Sequence, residues 1–412
     1  MINNLILKDC CSFQEGYVNP SQKIPTYFGN DIKWLRASDL SEGYVYDTER
    51  KLSKKGFESA GKSAKMFPKD SIAISKSGTI GSLGILKDEM CGNRAVINIV
   101  VNPDKANLKY IFYTLKYKKA EIVSRAGGSI QKNLYVSALE TLILNHNSIK
   151  EQSEISSVLS ALDKKIELNN QINAELEAMA KTLYDYWFVQ FDFPDADGKP
   201  YKSSGGKMVY NEVLKREIPE GWKDSTIEGI ESNIVTGKTP SKKKPEYFNG
   251  DVPFITIGDI RANTFIVQTE ETLTSKGADT QKNKYLPENT ICVTCIASPG
   301  LVGFVTEQSQ TNQQINSVVC SNPLNMYYLY FAIKAYFEGA KAKTGNTFAN
   351  MNKGDFSSIN MLYPNKKLLS KYYEVVNPLF RQIKAKTLEN KELENLRDWL
   401  LPMLMNGQVT VK

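Results

Sequence analysis

The chain has 412 residues, 41% hydrophobic and 24% charged, with a formal net charge of +7; this is globular composition over more length than one hydrophobic core organises, so several domains are expected. No run approaches the ~18 apolar residues of a membrane span, and residues 1–6 read as neither a signal nor a transit peptide. Six cysteines are too few for a disulfide framework in a chain this long, so the expected compartment is reducing cytoplasm.

In chain order, residues 1–147 read as a mixed, strand-rich globular domain. The apolar runs 71–75 and 95–101 predict strands, and Gly, Asn and Pro clusters separate them. Leu108, Ile111, Phe112, Leu115 and Ile122 recur at helical spacing and predict a helix over 108–123. Residues 148–190 predict one long helix. Ile155, Leu162, Asn169, Leu176 and Leu183 lie seven apart, and Val158, Ile172 and Met179 supply a second seam. Such a helix is on the order of 55–60 Å long. Residues 191–221 are a connector rich in turn residues, over 193–200 and 203–206.

Residues 222–364 predict a second globular domain, with a helix over 324–337. Residues 365–407 predict a second long helix carrying Tyr372, Leu379, Lys386, Leu393 and Leu400 in its first seam, and 408–412 form a tail. Pro378 inside it predicts a kink, or a restart with Asn377 as N-cap. Each seam holds one polar residue, Asn169 and Lys386. Buried, such residues fix register; otherwise they face solvent.

The second half repeats the first. Pro25-Thr26-Tyr27-Phe28-Gly29-Asn30-Asp31 returns 220 residues later as Pro245-Glu246-Tyr247-Phe248-Asn249-Gly250-Asp251. Asn93-Arg94-Ala95-Val96 returns at an offset of 219 as Asn312-Gln313-Gln314-Ile315. Leu176, Met179 and Leu183 return at 217 as Leu393, Leu396 and Leu400. Solenoid units run to only roughly 20–50 residues, so this period marks a duplicated domain. The expected fold is α+β: two duplicated globular domains and two long antiparallel coiled-coil helices with pseudo-twofold symmetry. Each helical seam needs a partner, and the other helix is the nearest one. Symmetry then predicts globular domains at opposite ends of a rod, an arrangement suited to a target with two half-sites.

Catalytic motifs fail one by one. Gly237-Lys238-Thr239 resembles the end of a Walker A loop, but Ser232 stands where the first glycine is required. The glycines at 78, 81 and 84 lack the dinucleotide pattern. Asn322-Pro323-Leu324-Asn325 lacks the aromatic on which an amino-methyltransferase stacks a flipped base. Cys292 and Cys295 have metal-ligand spacing but lie in an apolar run with no second pair. His146 is the only histidine and has no nucleophile motif nearby. No catalytic or metal-ligating residue is assigned.

Basic and amide residues, in contrast, populate the polar loops of both copies. They are Arg36, Lys54, Lys55, Lys62, Lys76, Asn93, Arg94, Gln131, Lys132 and Asn133 in the first. In the second they are Lys238, Thr239, Ser241, Lys242, Lys243, Lys244, Arg261, Gln313, Gln314, Asn346 and Asn350. Lysines neutralise phosphates, while Arg, Asn and Gln read base edges in pairs of hydrogen bonds. Any one of them alone is an ordinary surface residue. Recurrence at equivalent places, with Arg94 opposite Gln313, predicts one scaffold reading two different half-sites of double-stranded DNA.

The chain resembles the specificity subunits of type I restriction–modification systems. The likeness rests on 239–241 with 245–251, Asn312-Gln313-Gln314, the stretch from Trp187-Phe188-Val189-Gln190-Phe191-Asp192-Phe193-Pro194 to Gly221-Trp222, and Leu396-Arg397-Asp398-Trp399-Leu400-Leu401-Pro402. It implies that 1–147 and 222–364 are target-recognition domains, each reading half of a bipartite sequence. It implies that the helices set the unread spacer and dock two methyltransferase subunits, with Ile155, Leu162, Leu176, Leu183, Leu379, Leu393, Leu396 and Leu400 serving helix pairing and subunit docking. Restriction/translocase subunits would complete the complex. S-adenosylmethionine, ATP and Mg would belong to those partners and none to this chain. The first copy departs from the pattern, with Asn19-Pro20-Ser21 in place of Thr239-Pro240-Ser241. A specificity chain whose partner fuses nuclease and methylase would look the same. The reading from another class is a coiled-coil scaffold that binds proteins only.

Overall fold

The apolar runs of the first domain pair with one another. The computed structural model describes residues 5–128, 132–145, 147–261, 263–344 and 350–411. In it, Ile72–Ser75 lies at the centre of a five-stranded sheet ordered Cys11–Glu15, Val96–Val101, Ile72–Ser75, Leu83–Leu86, Gly43–Val45. Neighbours are antiparallel except the last pair. Ile72–Ser75 and Leu83–Leu86 are buried throughout, which is why they read as unbroken apolar runs instead of alternating ones. A second sheet hangs on Phe28–Leu35, antiparallel to Lys51–Leu52 and parallel to Met90–Gly92.

The second domain repeats this order: Ile234–Thr236, Ile315–Val318, Ile291–Thr294, Val302–Val305, Phe265–Ile266, again with only the last pair parallel. Phe248–Ile255 takes the place of Phe28–Leu35, antiparallel to Glu271–Leu273 and parallel to Gln310–Thr311. The bulges also match. Phe28 and Ile32 both face Leu52, and Phe248 and Val252 both face Leu273.

The chain divides into two compact units, residues 1–166 with 393–412, and residues 167–392. Each long helix therefore contributes a stretch to both. In the first unit, Ile155 and Leu159 join the core built on Ile72, Ile97 and Tyr110, together with Leu401, Leu404 and Met405. Arg397 pairs with Asp163 at 2.9 Å, and the Tyr113 hydroxyl donates to the same carboxylate at 2.6 Å. In the second unit, Ala180, Tyr184, Trp187 and Phe188 share a core with Tyr372, Val376, Phe380 and Ile383. Phe188 meets the rings of Tyr328 and Tyr372 edge-on, centroids 5.0 and 4.9 Å away.

Several expectations need correction. The helix over 108–123 is two helices, Leu108–Tyr117 and Lys119–Ser124, broken at Lys118, whose ψ of 13° is not helical. The second-domain helix runs further than expected, Pro323–Thr344. The connector contains an antiparallel hairpin, Met208–Asn211 with Arg216–Pro219, which buries Ile218 in the second unit's core.

The first long helix is Ile149–Tyr184, extended by a π-helical turn Asp185–Val189, and the second is Lys366–Met405. Pro378 does not restart it. Pro378 and Glu374, whose carbonyl loses its partner there, are both exposed, so water can satisfy that carbonyl. Asn377 caps nothing; its side chain accepts from the Tyr327 hydroxyl at 3.0 Å.

The second seam of the first helix is also not the one expected. Met179 is 54% exposed, whereas Gln152, Leu159, Ile166, Ala180 and Trp187 are buried. With half-buried Asn173 between Ile166 and Ala180, that row has polar or small residues at three of its six places, so counting apolar residues selects Val158, Ile172 and Met179 instead.

Candidate nucleic-acid interface

Both domains build one turn in the same way. In the second, the Asn312 amide donates to the Ile255 carbonyl (3.2 Å), and its own carbonyl accepts from Ile315 (3.3 Å). Its side-chain oxygen accepts from the Gln314 amide at 3.0 Å, an Asx turn. In the first, Asn93 makes the equivalent bonds to Leu35 (2.9 Å), Val96 (3.2 Å) and Ala95 (3.0 Å).

A glycine presses against each turn. A Cβ on Gly16 would lie 2.1 Å from the Asn93 carbonyl oxygen, and one on Gly237 would lie 2.2 Å from that of Asn312. Only glycine permits this approach. Under the second turn lie Gln310 and Gln281, both buried. The Gln310 side chain donates to the Ala278 carbonyl at 2.9 Å, and the Gln281 side chain donates to Gln310 at 2.8 Å. The corner residues Arg94 and Gln313 are exposed on this framework.

The other candidates divide into exposed and engaged. Lys54 and Lys55 are exposed on the short helix Lys54–Glu58, and Lys62 and Lys132 are exposed. Asn133 is half-buried and bridges backbone to Gly127. Arg36 is held by Glu49 at 2.5 Å and Asp39 at 3.5 Å, and Lys76 by Glu15 at 3.1 Å. In the second domain Lys238, Ser241, Lys243 and Asn350 are exposed. Lys242 pairs with Glu271 at 3.0 Å, and Lys244 sits 5.1 Å from the Tyr247 ring centroid. The Thr239 hydroxyl donates to Gln313 Oε1 at 2.7 Å, and Asn312 Nδ2 donates to Gln314 Oε1 at 3.2 Å. Gln131, His146 and Asn346 lie outside the described residues.

Tyr17 escaped sequence reading. It is 48% exposed beside the first turn, and its hydroxyl donates to Glu15 at 3.0 Å. The signal available was Gly16 immediately before it.

Along the helices, Ile155 is buried, and Leu162, Leu176, Leu183, Leu379, Leu393 and Leu400 are half-buried. Leu396 is 42% exposed, outside the buried seam, as is its counterpart Met179; Val375 and Trp399 are exposed too. Within the second unit the polar seam residues meet. Asn169 is fully buried; its amide donates to Asn390 (2.8 Å) and Glu389 (2.9 Å), and Lys386 donates to its oxygen at 3.2 Å. Asn173 donates to Thr387 (3.3 Å) and Asn390 to Asn170 (2.8 Å). These last two bonds exchange under the 217-residue offset, and their order shows the helix segments running antiparallel.

Arg261, 3.4 Å from the Ser298 hydroxyl, lines a cleft of about 270 Å³ with Glu177, Thr264, Tyr330 and Lys334. Burial opposes the Glu177 charge. Lys334 (2.7 Å) and the hydroxyls of Thr264 (2.6 Å) and Tyr330 (2.7 Å) nevertheless hold its carboxyl below the usual range. Burial pushes the thiols of Cys292 and Cys295 up to about 12 and about 11, as core residues. Among the described residues no cluster of His, Cys, Asp or Glu could hold a metal, and no helix is long and apolar enough to cross a membrane.

A family model described as the type I restriction modification DNA specificity domain matches residues 4–178 and again 219–395. The chain is 32% identical over 347 residues to the type I restriction enzyme HindI specificity subunit of Haemophilus influenzae, covering 72% of this chain and 75% of that one. It is 27% identical over 410 residues to the MjaIX specificity subunit of Methanocaldococcus jannaschii, with 96% and 91% covered. A crystal structure of the S subunit of a type I restriction-modification system from M. genitalium shares the fold, at a TM-score of 0.52 and 16% identity over 98% of this chain and 97% of that one.

Proposed function

The chain belongs to the type I restriction modification DNA specificity family, and on that premise we propose that each globular domain reads one half of a bipartite double-stranded DNA target. It is a specificity subunit and not a catalytic one. The observation that carries the half-site reading is the duplicated turn. The same hydrogen bonds and the same glycine contact hold Arg94 in one domain and Gln313 in the other. One mode of approach to DNA with two different side chains suits two different half-sites.

The helix pair sets the spacer between them. Its support is the antiparallel polar layer around Asn169 and Asn390, which tolerates no sliding without stranding buried amides. Two methyltransferase subunits dock on the helices, and exposed Met179, Val375, Leu396 and Trp399 are apolar surface available to them. Restriction/translocase subunits complete the complex. S-adenosylmethionine, ATP and Mg act on those partners.

The test is genome-wide methylation mapping in a host carrying this chain and its neighbouring methylase gene, with the chain intact or deleted. A bipartite motif that disappears on deletion is expected. Methylation unchanged by deletion, in a host where the motif is active, would overturn the proposal.

A further inference from the structure

We propose that Arg94 and Gln313 are the specificity-determining residues of their two half-sites, each reading one base pair, while the lysines around them hold phosphates. The inference rests on the bipartite-target reading above and names the groups that execute it.

The turn geometry selects them. In each domain the asparagine before the corner is fixed through its amide, its carbonyl and its side chain, and the glycine opposite leaves the backbone no room to shift. A corner residue on such a support is exposed yet starts from a fixed Cα, which base reading requires and phosphate contact does not. The exposed lysines of both domains carry long flexible stems and a point charge, suited to phosphate. Arg36, the other arginine considered in the first domain, is spent on Glu49 and Asp39.

The two corners differ in chemistry. Arg94 offers only donors, in the fork that matches N7 and O6 of guanine. Gln313 Oε1 already accepts from the Thr239 hydroxyl, which orients its amide. One lone pair and both Nε2 hydrogens remain, the set that matches N6 and N7 of adenine. Among the described residues no hydroxyl tethers Arg94 in this way. Val18 and Lys238 occupy the same hydrogen-bonding position, donating to Gly92 and Thr311, so Tyr17 is one residue extra in the first domain. That insertion leaves Val18 buried just ahead of the segment where the second copy has Thr239.

The experiment uses the full chain in complex with its methyltransferase and a DNA library built on the mapped motif, with each base pair of both half-sites varied. Arg94→Ala and Arg94→Lys should each lose about tenfold or more discrimination at a single base pair of one half-site. The other half-site should be read as before. Gln313→Ala should do the same at one base pair of the opposite half-site. Arg94→Lys retains the charge, so its salt dependence should match the unsubstituted protein.

Three results would overturn the assignment: discrimination intact in Arg94→Lys, weakening equal for all sequences, or both substitutions relaxing the same half-site. Absence of any bipartite motif with the unsubstituted chain would instead overturn the half-site reading itself.

Discussion

Glu177 ties the first long helix to the second globular domain, and removing it should cost stability in a measurable and pH-dependent way. Its carboxylate receives Lys334, Thr264 and Tyr330 within 2.6–2.7 Å, while the Glu177 and Lys334 side chains are 26% and 30% exposed. Breaking a fully buried pair costs about 3–5 kcal/mol and an exposed one about 0–1. This pair lies between, so Glu177→Ala should cost about 2 kcal/mol. Urea unfolding followed by tryptophan fluorescence reports on it, since Trp187 and Trp222 lie in that unit's core.

A double-mutant cycle with Lys334→Met isolates the pair and should give a coupling of about 1–2 kcal/mol. The Glu177 carboxyl is held below its usual value, against burial, by Lys334 and the hydroxyls. Its contribution is therefore complete above the unfolded carboxyl value near ~4.3 and is lost as pH falls through the lower folded value. The stability gap to Glu177→Gln should be full at neutral pH and shrink in acid. A coupling below about 0.5 kcal/mol, or a gap that stays constant below pH ~4, would refute the reasoning.

Asn390→Leu takes one acceptor from the buried Asn169 amide, leaving it Glu389, and should lower stability by about 1 kcal/mol, visible as a lower melting temperature. Gly237→Ala forces a Cβ against the Asn312 carbonyl and should cost about 1–3 kcal/mol; half-site library binding should show its DNA defect confined to the half-site read by the second domain. Lys243→Ala removes an exposed lysine and should flatten the log–log salt dependence of DNA binding by about 0.9, for all sequences alike. Seven residues inserted in each long helix keep the heptad in phase and lengthen the pair by ~10 Å. Methylation mapping should then show a spacer longer by about three base pairs.

Much of this protein is legible in its residues alone. The duplication follows from motifs that recur 217–220 residues apart, the buried strands Ile72–Ser75 and Val96–Val101 from unbroken apolar runs, and the long helices from apolar periodicity, because burial leaves its pattern in the sequence. The family likeness is visible for the same reason, since motif order survives in one dimension. Tertiary structure decided what periodicity cannot carry. Asn173 and Ala180 belong to the packed row of the first helix because Thr387 and Tyr372 of the second helix meet them, and Gln152 because its side chain bonds the backbone of Asn107 and Asn147; apolar counting discards all three. Pro378 leaves its helix unbroken because that position faces water. Arg36 and Lys76 resemble Arg94 in sequence, but carboxylates that folding brings to them, Glu49 and Glu15, take up their charge. Gln313 gains its orientation from Thr239, 74 residues away along the chain. Residue type announces which hydrogen bonds a side chain can make, and only the folded neighbourhood determines which of them are left for a partner.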